Sequence, residues 1–217
     1  MKRSIALSGA VSLFALAAAA QDLPKVEVFT GFTYTRVNSA SNIPAFSANG
    51  GGGQFVVNAG RHFGFVTEIG AVHNGNIGGY HLDTTLTNFM FGPRIVMRTH
   101  RLAPYFQGVF GGVRGSTSYP VTVPPGTVVL PPVVTPVNST AATNAAGAIG
   151  LRAAASQTSF AMAFGGGVDI RINKHLSFRP IGLDYYMMRL QNLRTANDNN
   201  QHCIRYTTGF NFTFGAQ

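Results

Sequence analysis

Ile204-Arg205-Tyr206-Thr207-Thr208-Gly209-Phe210-Asn211-Phe212-Thr213-Phe214 is the stretch that decides how this chain is read. Ile204, Tyr206, Thr208, Phe210, Phe212 and Phe214 form one row, and Arg205, Thr207, Gly209, Asn211 and Thr213 the other. A bulky row opposite a small or polar one, at period two, marks a β-strand whose sides meet different surroundings. At about 3.3 Å per residue the stretch can cross a hydrocarbon layer at a tilt of about 45°.

Working outward, the same alternation recurs at about 25–37, 53–61, 63–72, 86–98, 103–114, 158–172 and 175–189, before the closing segment at 203–214. Turns of a few residues surround Arg61 and His62, residues 99–101, and Asn173 and Lys174. The intervening connections, 38–52, 73–85, 115–157 and 190–202, are longer. Short turns at one end and long loops at the other predict an all-β fold: an eight-stranded antiparallel up-and-down transmembrane β-barrel with both termini on the short-turn side. Residues 49–53 (Asn-Gly-Gly-Gly-Gly), 74–79 and 196–201 read as loop. In 115–157, Pro124-Pro125 and Pro131-Pro132 favour extended polyproline-like chain, with disorder the competing reading.

The faces are consistent from strand to strand. The first sets Val26, Val28, Phe32 and Tyr34 against Glu27, Gly31, Thr33 and Thr35. The third sets Phe63, Phe65 and Ile69 against Gly64, Glu68 and Gly70; the fourth sets Phe89, Phe91 and Ile95 against Asn88, Gly92 and Arg94. The sixth sets Phe160, Phe164, Val168 and Ile170 against Gly165, Gly167, Asp169 and Arg171. Charge keeps company with small size, as expected of lipid outside and a narrow polar interior. Tyr34, Tyr105, Tyr185, Tyr186 and Tyr206, with the many Phe, are assigned to interfacial girdles.

Glu27, Glu68, Arg94, Asp169, Arg171, Asp184 and Arg205 thereby form the candidate site, an interior polar network. Buried charges need partners. Folding the last two strands about residue 195 brings Asp184 within a residue or two of the level of Arg205, the first candidate pair; Glu68 with Arg94 is the second. Arg179 and Asp184 have opposite parity, which suggests a bulge between them. Eight strands leave room for side chains and none for an open channel, so the network reads as a plug. A gated polar path, hence a small-solute channel, is the alternative.

The amino terminus supplies the compartment. Lys2 and Arg3 precede an apolar stretch from Ile5 to Ala17, and Ala18, Ala19 and Ala20 precede Gln21. This predicts a signal peptide over 1–20 and a barrel domain over 21–217. Charged residues are 11% of the chain, and no later run approaches the roughly 20 apolar residues of a spanning helix. The lone Cys203 excludes an intramolecular disulfide and reads as a small apolar filler. Without Lys2 and Arg3 the formal charge falls from +9 to +7, 14 basic residues against 7 acidic. The basic residues are scattered, which disfavours nucleic acid as a partner and suits solvated or headgroup contacts.

The stretches 26–34, Phe89-Met90-Phe91-Gly92-Pro93-Arg94, 104–112, Asp184-Tyr185-Tyr186 and 209–214 resemble the small outer-membrane β-barrel family of OmpA-like, OmpX-like and opacity-type proteins. The resemblance spans the chain after residue 20. It implies a bacterial outer-membrane location, an aromatic-ended closing strand read by the insertion machinery, lipids and lipopolysaccharide as surroundings, and a monomer with a structural or surface-interaction role through its extracellular loops.

Chemistry is weakly marked. His175-Leu176-Ser177 resembles the His-x-Ser of outer-membrane lipid A deacylases, but it lies beside a short turn and has no orienting acid. The six histidines form no metal-ligand spacing, and neither Gly165–Gly167 nor the run 50–53 is followed by a helix and Lys-Ser/Thr. No enzyme activity, cofactor or metal is expected. A soluble lipocalin-like carrier would turn its apolar face inward, opposite to the pattern here.

Overall fold

In the computed structural model, which describes residues 25–39, 45–77, 82–123, 141–143, 149–191 and 198–215, the alternating segments pair into one closed sheet. The strands are β1 (Val26–Val37), β2 (Phe46–Asn58), β3 (Phe63–Asn74), β4 (Asp83–Val96), β5 (Leu102–Val123), β6 (Ala141–Thr143), β7 (Ile149–Arg171), β8 (Leu176–Gln191) and β9 (Asp198–Phe214). Neighbours run antiparallel in the order β1 to β5, then β7, β8 and β9, and β9 returns to β1, pairing Cys203 to Phe214 with the whole of β1. The three-residue β6 pairs only with the far end of β7, so the wall has eight strands. The expected signal peptide, residues 1–20, lies outside the described residues.

Exposure is inverted relative to a water-soluble protein. Phe32, Phe65, Ile69, Phe89, Phe91, Phe106, Phe164 and Phe212 are between 40 and 58% exposed on the outer face, while Glu27, Glu68, Arg94, Asp169, Asp184 and Arg205 are buried inside. That is the reverse of a soluble carrier barrel.

The ladders run further toward the long-loop end than alternation alone predicts. The glycines at 50–53, expected in a loop, are rungs of β2 and pair with Thr30 to Thr33. They serve close approach here: a Cβ on Gly50 would sit 1.9 Å from the Ala71 carbonyl oxygen. The expected loop 115–157 likewise begins and ends as ladder, with Gly115 to Val123 opposite Gln157 to Ile149. Pro120 lies in β5 beyond Ser118, the last residue of that strand paired with β4. The paired prolines fall outside the described residues.

The interior has two layers. Toward the long loops it is apolar, packed with Val37, Phe46, Ala48, Val72, Leu86, Met90, Met188 and Cys203. The charged part of the polar interior lies in the short-turn half, while Thr84 and Gln201 are buried polar residues of the long-loop half. Along β9 the inward row passes from Asn211, Thr207 and Arg205 to Cys203 and Gln201 as it climbs, so its charge ends at Arg205.

Candidate functional site

The polar half of the lumen is assembled from the inward rows of seven strands. At its mouth Glu27 of β1 accepts from Arg98 Nη2 at 2.6 Å, Asn58 Nδ2 at 2.9 Å and Asn211 Nδ2 at 3.0 Å. Its second oxygen stands 3.9 Å from Arg94 Nη2. Arg94 donates to Asp169 Oδ2 at 3.0 Å, and Arg179 Nε and Nη2 donate to both Asp169 oxygens at 2.7 and 3.2 Å. Arg179 Nη1 reaches Gln54 Oε1 at 2.9 Å, and Gln54 Nε2 passes the chain to Glu68 Oε2 at 3.0 Å. Glu68 also accepts from both terminal nitrogens of Arg205 and from Asn88. Arg205 in turn donates Nε and Nη2 to Asp184 Oδ2 at 3.1 and 2.8 Å.

The result is one hydrogen-bonded chain from rim to mid-barrel. Arg94, Arg98, Arg179 and Arg205 meet Glu27, Glu68, Asp169 and Asp184, four charges of each sign. Aromatic rings fill the gaps between them. The Tyr105 ring lies 4.0 Å from the Arg94 guanidinium carbon and 4.3 Å from that of Arg179, and Phe29 covers Arg179 at 4.0 Å. Such contacts favour a desolvated cation. Gly167 leaves room for this packing, since a Cβ there would lie 2.9 Å from the Tyr105 hydroxyl. Beyond Arg205 the inward residues Tyr186, Met188 and Cys203 are buried in the apolar cluster.

Asp184 and Arg205 are direct cross-strand partners. Glu68 and Arg94 do not meet, because register places Glu68 opposite Met90 and Arg94 opposite Gly64, four residues apart along the strands. Arg171 is not part of the interior: it is exposed where β7 runs out at the short-turn rim, pairing with Ser177 at the first turn of the β7–β8 hairpin.

Arg179, fully buried at the centre, depends on one extra residue in β8. Between Arg179 and Gly182, β8 bulges against both neighbours, which returns Arg179 and Asp184 to the same side. Pro180 suits the bulge because it has no amide hydrogen to pair. The carbonyls there are taken by outward side chains: Tyr206 Oη donates to Pro180 O at 2.7 Å and Thr208 Oγ1 to Arg179 O at 2.9 Å. Arg98, two residues past the strand, continues the inward parity of Arg94 and Val96. Tyr105 and Tyr186, expected in the girdles, are buried inside by the parity of their strands.

Among the described residues no group of three His, Cys, Asp or Glu could hold a metal ion. His73 lies exposed, 3.5 Å from Asp83, and His81 falls outside the described residues. His175 is exposed with Nδ1 3.3 Å from the Thr213 carbonyl oxygen.

A closed antiparallel wall of eight strands, apolar outside and filled inside, defines the small outer-membrane-type β-barrel fold. The chain shares it with Neisserial surface protein A, NspA (TM-score 0.60, 12% identity, 88% of this chain and 97% of that one), and with Ail, the attachment invasion locus protein of Yersinia pestis (TM-score 0.50, 12% identity, 86% and 97%). No family model and no curated sequence matches the chain. It has the fold of the OmpA-like and OmpX-like barrels.

Proposed function

We propose that the chain is an integral bacterial outer-membrane barrel with a closed lumen, exported by its amino-terminal signal and acting at the surface through the long-loop end. The inverted exposure supports the membrane: an apolar belt around the whole wall belongs in acyl chains, while a lumen charge needs only its partner. The short turns then face the periplasm, and lipopolysaccharide surrounds the opposite rim. The surface role follows from where sequence freedom is left. The wall and lumen are packed, so the extended β5–β7 ladder and the connections beyond it remain to meet a partner. The names of NspA, a surface protein, and Ail, an attachment invasion locus protein, accord with this reading. No catalytic step is assigned, since His175 and Ser177 sit at the periplasmic turn, far from an outer-leaflet substrate.

The observation that carries the closed lumen is the charge-neutral chain of four arginines and four carboxylates beneath an apolar layer. Planar-bilayer recording of the refolded protein tests it. Traces without a steady pore are expected; a stable open conductance would overturn the plug and favour the channel.

A further inference from the structure

The three described hairpin turns at the short-turn end are each built from a cation beside a histidine: Arg61-His62, His100-Arg101 and Lys174-His175. Lys25 precedes β1 at the same rim and Arg171 ends β7 there, and all of these residues are exposed. Backbone hydrogen bonds lace the turns to one another and to the strand ends. Asn58 N donates to Lys25 O at 3.0 Å, Val96 N to His62 O at 2.9 Å, Arg171 N to Arg101 O at 2.8 Å and Thr213 N to His175 O at 2.8 Å. Arg98 Nη1 adds a bond to Arg61 O at 2.6 Å, and Gly215 packs beside Lys25 to close the ring. The acid at this end, Glu27, is turned inward and engaged by Arg98 and two asparagines. Among the described residues of the rim, therefore, exposed fixed charge has a single sign.

Depth identifies what the collar meets. Phe63 follows His62 directly, Met97 and Leu102 flank the second turn, and Ile172 flanks the third; all are 41 to 64% exposed. The cations thus begin where the apolar belt ends, at the level of lipid headgroups. We propose that this rim is a collar for the phosphates of anionic phospholipid, binding phosphatidylglycerol in the periplasmic leaflet in preference to zwitterionic lipid. This rests on the membrane-spanning reading above. Aliphatic stems of Lys and Arg lie on the belt while their heads reach phosphate, and a closed ring of turns holds several heads at one level. Cations near an anionic surface are each worth about a fivefold gain in association before screening.

The test uses the full barrel reconstituted in phosphatidylcholine bilayers containing spin-labelled phosphatidylglycerol or spin-labelled phosphatidylcholine. The lipid immobilised at the protein surface is read in each case. The wild type should prefer phosphatidylglycerol by about threefold or more at low salt, with the preference falling toward one in molar salt. A variant carrying K25Q, R61Q, R101Q, R171Q and K174Q should lose it. Heat-modifiable gel mobility and protection from added protease report folding and insertion separately. If the barrel does not insert, the membrane reading fails; if both proteins insert and neither discriminates between the lipids, the collar proposal alone is overturned. Sedimentation with purified peptidoglycan that is lost in the variant, without lipid preference, would assign the rim to a wall polymer instead and overturn the lipid assignment.

Discussion

Arg205 bridges two buried carboxylates, its guanidinium serving Glu68 on one side and Asp184 on the other. Removing it leaves two carboxylates facing each other in a closed space. Arg205→Met should destabilise the barrel by about 3–5 kcal/mol, the range for a buried pair stripped of one partner. Urea unfolding in lipid vesicles, followed by circular dichroism, measures this. Restoring neutrality with Glu68→Gln and Asp184→Asn in the same chain should recover most of the loss, because the penalty lies in the uncompensated charge. Gln107 and Gln54 make a second contrast. Both are buried, but Gln54 links Arg179 to Glu68, whereas neither amide atom of Gln107 has a hydrogen-bond partner among the described residues. Gln107→Met should be neutral or stabilising by about 1 kcal/mol, and Gln54→Met destabilising by about 1–3 kcal/mol, in the same assay.

At the scale of the strand, β8 contains one residue more than β7 and β9 can pair. Deleting Pro180 brings β8 flush with both neighbours and keeps Arg179 and Asp184 inward. The expected result is a folded barrel that has lost the Tyr206 hydrogen bond, detected as retained heat-modifiable mobility. Deleting Thr208 from β9, which has no residue to spare against β1, inverts every side chain toward one end and should abolish folding. This contrast also explains what could be read from the sequence. Alternation fixes a face wherever the ladder is regular, so Glu27, Glu68, Asp169 and Arg205 could be placed inside from parity alone. In β8 the parity conflict between Arg179 and Asp184 signals an irregularity, but which residue is in excess depends on the neighbours. The partners of Glu68 and Arg94 depend on side-chain reach across the lumen, which strand spacing does not encode. The glycines at 50–53 illustrate the opposite failure: loop-like in isolation, they are rungs because β1 and β3 press close on either side. For Arg171 parity continues past the last residue that the wall encloses.

For the whole molecule the membrane location proposed above has a consequence in depth: with hydrocarbon around the outer wall, the cost of a charge on it varies with distance from the headgroups. Phe91 lies five residues up β4 from Val96 at the rim, about 12 Å along the barrel axis at 3.4 Å per residue and a tilt near 45°. That is close to the middle of a belt about 25 Å tall. Ile172, 58% exposed, sits at the rim itself, one residue past β7. Phe91→Arg should therefore cost about 2–4 kcal/mol in vesicle unfolding, and Ile172→Arg no more than about 1 kcal/mol, since a guanidinium there reaches the headgroups. Both side chains are about half exposed, so a barrel surrounded by water would gain or lose little at either position. Equal small effects at the two sites would mean that the belt does not meet acyl chains. A steep difference would set the membrane's midplane near Phe91 and its periplasmic boundary near Ile172, at the depth where the basic collar begins.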